Sequence, residues 1–414
     1  MRDQILLHMH NPGQLEKLYR ENKAGFKQEF SKIYPQLGDN VLADFWHERL
    51  SYESDAISWG SRKELLFVVM ASLVAGIFAK LPAIFSINEE FYYPRNVGFL
   101  VFPFLTAYFA WKNKLAVNKI AFMSGVIAVC LLYINSLPNN VKSDTLLLAC
   151  IHLPLLLWVL LGVSFAGDEL NNYEKRLDFL RFNGDLAVMS ALLVIAGILM
   201  TGITIGLFEL IGFKIEKFYF EYVVLFGLPA VPIGATYLTQ TNPQLVNKVS
   251  PVIAKIFSPL VLVMLVIYLG AIVYSGKDPY NDREFLLLFN LLLIGVMALI
   301  FFSVAESSTK YTSVSGIWIL LLLSVVTVVV NGIALSAISF RISEWGITPN
   351  RVAVLGGNVL ILVHLLIVTV LLFKTVTRKA AITEVGRSIV LYIPVYFIWT
   401  IVVVFVFPLV FNFK

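Results

Sequence analysis

The sequence predicts an all-α protein, a polytopic transmembrane helix bundle of about eleven spans that follows a small N-terminal helical unit. Three observations carry that prediction. Of 414 residues, 58% are hydrophobic and only 14% are charged, whereas an ordinary soluble domain carries about 25% charged residues. The composition changes once, at Arg62-Lys63-Glu64, from a polar segment to one dominated by apolar runs. Most of those runs reach the roughly 18 residues needed to cross a bilayer. The boundary therefore falls at residue 64: residues 1–64 read as a cytoplasmic amphipathic helical unit and 65–414 as the transmembrane domain.

In the N-terminal unit, Asn11 and Pro12 make a helix start, and Leu15, Leu18, Tyr19, Phe26, Phe30 and Ile33 recur at near-helical spacing. Val41, Leu42, Phe45, Trp46 and Leu50 repeat the pattern. Two or three amphipathic helices follow. A unit of this size buries little by itself, so it is expected to lean on the membrane domain, a lipid surface or a cytoplasmic partner.

Apolar runs then fall at 65–86, 97–111, 120–137, 145–166, 186–213, 218–238, 256–274, 285–305, 314–338, 352–373 and 388–411. The run at 97–111 is the shortest, and losing it would put both ends of the chain on one side. The connection 167–185 interleaves Leu170, Tyr173, Leu177, Leu180 and Phe182 with charges and reads as an interfacial amphipathic helix, or as a charged loop with apolar anchors. Between the ninth and tenth runs, Gly346 is placed to end one helix in a left-handed C′ position, and Thr348 with Pro349 to cap and start the next. Arg341 and Glu344, one turn apart, are able to pair there.

Lys and Arg set the orientation. With the N-terminal unit inside, that side holds 22 of the 32 basic residues, and the short connections alone favour it by 13 to nine. The N-terminus is accordingly expected in the cytoplasm and the C-terminus outside. The net charge of +5 is scattered over connections rather than gathered on one face, which argues against nucleic acid. The N-terminus lacks a signal-peptide pattern, so the first span is expected to direct insertion. Cys130 and Cys150 lie in apolar runs without metal-type spacing and read as buried small residues.

No Walker A loop, G-x-G-x-x-G after a strand, H-E-x-x-H or G-x-S-x-G is present. Five histidines, paired only at His8 and His10, suggest no metal centre and no cofactor. The chemistry-bearing candidates are polar side chains inside the apolar runs, where an unpaired ionisable group is costly. On the orientation above, Lys80, His152, Glu209, Glu221, Asn290, Asn331 and Asn358 lie in the outer halves of their runs, and His364 is near mid-depth. With Arg341, Glu344 and Arg351 at the rim, they would line a pocket open to the outside. A structural alternative stands beside each. Lys80, Glu209 and Glu221 would snorkel, the asparagines would join helices, and the histidines would bond neighbouring carbonyls.

Gly227, Pro229, Pro232 and Gly234 within eight residues would break or kink the sixth run near mid-membrane. Gly202 and Gly206, with Thr201, suggest a small-residue face for close helix packing.

Three stretches are similar to an uncharacterised bacterial family of polytopic inner-membrane proteins catalogued as domain of unknown function 4153. They are Arg341-Ile-Ser-Glu-Trp-Gly-Ile-Thr-Pro-Asn-Arg351, Phe179-Leu-Arg-Phe-Asn-Gly184 and Gly202-Ile-Thr-Ile-Gly-Leu-Phe208. The resemblance implies a fold type and a bacterial inner-membrane setting, and no catalytic residues. The chain ends just after the eleventh run, so a C-terminal soluble domain is not expected. The residues favour transport or permeation of a small polar or cationic solute through the outer-half pocket. The alternatives are a scaffold or accessory subunit recruiting a cytoplasmic partner through residues 1–60 and, less favoured, a membrane-embedded lipid-modifying enzyme. Oligomeric state is not legible.

Overall fold

The computed structural model describes residues 2–21, 26–27, 29–30, 33–34, 37, 40–51, 60–140, 142–247, 249–275, 280, 283–307 and 314–413. Helices and their connections make up all of the described residues, and no strand occurs among them. The chain divides into two compact units, Met1–Ser58 and Trp59–Lys414.

The first unit holds α1 (Arg2–Leu7), α2 (Pro12–Glu21) and α3 (Val41–Ser51). Asn11 Oδ1 accepts from Gln14 N at 3.2 Å, and Pro12 occupies the first helical position, as the start signal predicts. Contrary to the expectation of little burial, the unit closes a core from its own side chains: Ile5, Leu15, Phe26, Phe30, Ile33, Ala43 and Trp46 are all buried. Arg20 and Arg49 reach Glu16 at 2.8 and 3.0 Å, and the Arg20 hydrogen bond is the chief cause holding its carboxyl below the ordinary value.

The second unit contains α4 (Arg62–Phe85), α5 (Glu89–Asn96), α6 (Phe102–Lys112), α7 (Val117–Ser136), α8 (Asp144–Ala166), α9 (Tyr173–Leu210), α10 (Leu225–Thr241), α11 (Val249–Ser275), α12 (Arg283–Ser307), α13 (Val314–Trp345), α14 (Pro349–Val376) and α15 (Ile382–Ile401). A π-helical segment, Tyr219–Val224, leads into α10, and another, Val402–Val406, prolongs α15. Among the described residues, ten helical segments are long and apolar enough to cross a membrane. The protein is a multi-pass integral membrane protein with an all-α bundle.

Ten of the eleven expected runs are helices of spanning length, and the exception is the run at 97–111. It is not one helix of spanning length but a 3-10 turn, Val97–Leu100, followed by the eleven residues of α6. Pro94 and Pro103 flank the break, each without the N–H a continuous helix needs. Gly98 lies against α8, where an added Cβ would stand 3.3 Å from Pro154.

This broken segment nevertheless traverses the bundle. At the end where α4 begins, called proximal here, Lys112 pairs with Glu64 at 3.5 Å and Lys119 with Asp168 at 2.6 Å. At the distal end, Asn96 and Asn135 exchange hydrogen bonds at 3.0 and 2.9 Å, and Tyr93 donates to Ala79 O at 3.1 Å. From Asn96 to Lys112 the rise is about 25 Å, matching Glu64 to Lys80 on α4 at about 24 Å. The second unit thus enters at the proximal end and closes at the distal end, where Ser143 Oγ donates to Phe413 O at 2.9 Å.

Three other expectations change. The charged connection 167–185 is no separate interfacial helix, because α9 starts at Tyr173 and runs unbroken for 38 residues. Its first turns bury Leu177, Phe179 and Phe182 against the bundle. Beyond Met189 the same helix is largely exposed, and a Cβ on Gly202 or Gly206 would meet nothing within 4 Å, so among the described residues no helix packs closely at these glycines. The helix through Gly227 to Gly234 is continuous, and the irregularity lies earlier, at Tyr219–Val224.

Candidate functional site

The predicted site residues separate into distinct groups rather than meeting in one place. At the distal end of α4, Lys80 is buried and its Nζ donates to Glu221 O at 3.1 Å and Glu221 Oε2 at 3.4 Å. The Tyr222 ring lies 4.2 Å from the same nitrogen, and Lys217 approaches the other carboxylate oxygen at 3.8 Å. A buried ammonium is thus compensated three ways, which makes the pair a clamp between α4 and the π-helical segment.

Several others stand apart. His152 bonds Leu148 O of its own helix at 2.8 Å, and Glu209 is exposed near the end of α9. The turn after α13 is built as predicted: Gly346 has φ +76°, and Thr348 Oγ1 accepts from Arg351 N at 3.3 Å. Arg351 donates to the carbonyls of Trp345 and Gly346 at 2.7 and 2.6 Å, neutralising the C-terminal end of α13. The Arg341–Glu344 pair does not form. Arg341 turns inward, buried, and its Nε donates to Tyr280 O at 2.9 Å, while Glu344 is exposed and has no ion pair among the described residues.

The three asparagines do come together, and His364 lies on another face of α14. Asn358 Nδ2 donates to Asn290 Oδ1 at 2.8 Å, and Asn331 Nδ2 donates to Asn358 O at 3.2 Å, tying α12, α13 and α14 at one level. Farther toward the proximal end, Thr369 Oγ1 donates to Ser324 Oγ at 3.1 Å. These two ties put Thr327 and Asn331 in one polar column with Ser324, about 10 Å long along α13, whereas His364, between the same levels on α14, faces Phe301 of α12 and Tyr392 and Tyr396 of α15. Along α13, Ser324, Thr327, Asn331, Ala334, Ile338 and Arg341 recur at three- or four-residue spacing and are all buried. One stripe therefore leads from the column to the distal rim.

His364 is fully buried. Its Nδ1 lies 3.0 Å from Tyr396 Oη, its ring stacks on Tyr392 at 4.3 Å, and Phe301 closes another side at 4.6 Å. Tyr396 Oη also reaches Met297 Sδ at 3.4 Å. The Tyr396 hydroxyl lies within reach of both Nδ1 and Met297 Sδ, so the neutral ring presents at Nε2 a lone pair in one tautomer and an N–H in the other. That Nε2 has no partner, and neither has Asn331 Oδ1. Buried polar atoms left open among the described residues cost free energy unless something bonds them.

Tyr392, Tyr396 and Thr327 were not singled out from sequence. Their signal is the spacing of Tyr392 and Tyr396, one turn apart on a face of α15, but their partner His364 sits 28 and 32 positions earlier on another helix. Among the described residues, no group of three or more His, Cys, Asp or Glu side chains is arranged to hold a metal ion. Comparison with known proteins finds no match among family models, curated proteins or solved structures.

Proposed function

We propose that this membrane protein moves protons or a small cation through the bundle of α12 to α15. The observation that supports the reading is the pair of buried polar atoms without a partner among the described residues, Asn331 Oδ1 and His364 Nε2, within the bundle of α12 to α15. The open amide oxygen of Asn331 calls for a guest that donates or carries positive charge, and an intramembrane histidine able to take a proton is a relay group by chemistry. The clamp at Lys80 and Glu221 lies outside this path and holds helices. The positive-inside count puts the proximal end in the cytoplasm. The distal rim, where Arg341 closes the stripe, then faces outward.

The test is flux into liposomes holding a pH-sensitive dye, driven by a valinomycin-set potassium potential, with sodium or ammonium gradients as further arms. His364→Phe and Asn331→Leu should lose most of a flux that Glu209→Gln keeps. Equal flux in all three proteins would overturn the assignment.

A second reading, recruitment of a cytoplasmic partner, is favoured by the first unit, where Leu7, Val41 and Phe45 are exposed apolar side chains despite a closed core. Deleting residues 1–58 keeps the flux under the first reading. Under the second it abolishes co-purification of a stoichiometric partner.

A further inference from the structure

Between α8 and α15, on the proximal side of the membrane domain, the bundle keeps an open slot of about 270 Å³. Its walls are apolar, with Trp158, Val159 and Val163 on one side and Val390, Ile393 and Phe397 on the other. Trp158 to Ala166 spans eight residues, or about 12 Å of helix. The slot is therefore long and narrow, the shape of a stretch of hydrocarbon chain. Gly162 forms part of its floor, where a Cβ would come within 2.9 Å of the Phe179 ring.

At the proximal mouth stands Arg176. Its Nε donates to Leu170 O at 2.6 Å, which orients the guanidinium, and its two terminal nitrogens have no partner among the described residues. Arg387, exposed on α15, lies 5.8 Å from the Tyr173 ring, and Tyr173 is one turn from Arg176 on α9. Nearby carboxylates are committed elsewhere: Asp178 pairs with Arg181, and Glu169 accepts from Asn172 at 2.9 Å. Glu174 and Glu384 are exposed. An apolar slot headed by a free guanidinium fork, with a second cation near its mouth, complements an amphiphile with an anionic head.

We propose that this slot binds an anionic phospholipid, one acyl chain lying between α8 and α15 and the phosphate held by the terminal nitrogens of Arg176. The oriented fork supplies a bidentate phosphate contact, and Arg387 adds attraction that tolerates different headgroups. The Lys119–Asp168 pair marks the polar border at the same end, the depth where a phosphate belongs.

The experiment is native mass spectrometry of the full chain in detergent after incubation with phosphatidylglycerol, phosphatidylcholine or inorganic phosphate. Phosphatidylglycerol should survive as a bound adduct, phosphatidylcholine should not, and inorganic phosphate should fail to displace the lipid. Arg176→Gln should cut the retained phosphatidylglycerol about tenfold, the loss of a charge-assisted contact. Val163→Trp, which fills the slot and leaves Arg176 in place, should do the same, and Lys214→Gln at the distal end should not. Each variant is scored only if monodisperse by size exclusion, with Val159→Phe replacing Val163→Trp if that protein fails to fold. Unchanged retention by Arg176→Gln or by the slot-filling variant would overturn the proposal. So would equal retention of phosphatidylcholine, or displacement by phosphate alone.

Discussion

The polar side chains of α4 to α8 and those of α12 to α15 are spent differently. In the first region they answer the backbone. Tyr92 Oη donates to Phe78 O at 2.8 Å, the carbonyl whose helical donor would be the missing N–H of Pro82. Tyr133 Oη does the same for Val404 O at 3.0 Å, four residues before Pro408. Arg95 Nη2 reaches Leu137 O and Pro138 O at 3.2 and 3.4 Å, and its guanidinium lies over Phe91, so its charge is compensated although Nε is unpaired. In the second region several bonds between helices run from side chain to side chain, Asn358 to Asn290, Thr369 to Ser324 and Tyr396 to His364, and Asn331 Oδ1 and His364 Nε2 are left open among the described residues. Groups that satisfy a carbonyl in hydrocarbon stabilise the fold, whereas groups kept open at a cost are available to a guest.

The largest expected effects set the two regions against each other. Arg95→Met keeps the apolar stem but strands two carbonyls, so thermal unfolding in detergent should show a loss of about 1.5–3 kcal/mol. Asn331→Leu removes an orphaned acceptor and one contact to a carbonyl already within α14, so its stability should shift by under about 0.5 kcal/mol in either direction. A large loss in Asn331→Leu would make the column structural and erase the contrast.

Glycines give the next comparison. A Cβ on Gly76 would stand 2.2 Å from the Phe226 ring, where α4 and α10 pack closely. Gly76→Ala should cost about 1–3 kcal/mol through overpacking. Gly227, one residue beyond Phe226, faces open space. Gly227→Ala should be neutral or stabilise by up to about 1 kcal/mol through helix propensity. If both behave alike, that contact is softer than its geometry suggests.

What the sequence made legible follows the same division. Long apolar runs announce spanning helices, and Gly346 with Thr348 and Pro349 announces a turn, because each signal lies within a few adjacent residues. The second traverse was harder, since Pro94, Gly98 and Pro103 divide it into pieces that read as one short run. The charged first turns of α9 hid its length: Lys175, Arg176 and Arg181 mask a helix whose other face buries Leu177 and Phe182. Asn290, Asn331, Asn358 and His364 were visible as polar residues in apolar runs. That the three asparagines converge was not, because it depends on how α12, α13 and α14 are placed side by side. Glu209 carried the same signal and stands alone, so polarity inside a run marks a candidate without choosing its partner.

The smallest effect is the most specific test of why the first region holds. Tyr92→Phe and Tyr133→Phe each remove one hydroxyl from a carbonyl deprived of its helical donor by proline, and each should cost about 0.6 kcal/mol, the usual scale for such bonds in membranes. Tyr392 provides the internal control. Its hydroxyl also donates to a carbonyl, Leu360 O at 3.1 Å, but the residue four positions on is His364, which keeps its N–H. Leu360 O therefore retains its helical bond when the tyrosine is lost, and Tyr392→Phe should cost measurably less than the other two. Unfolding midpoints of the three variants, measured side by side in one detergent, separate the accounts. Equal costs would mean that the hydroxyls act as general adhesive between helices, while the predicted order would tie Tyr92 and Tyr133 to the prolines they face.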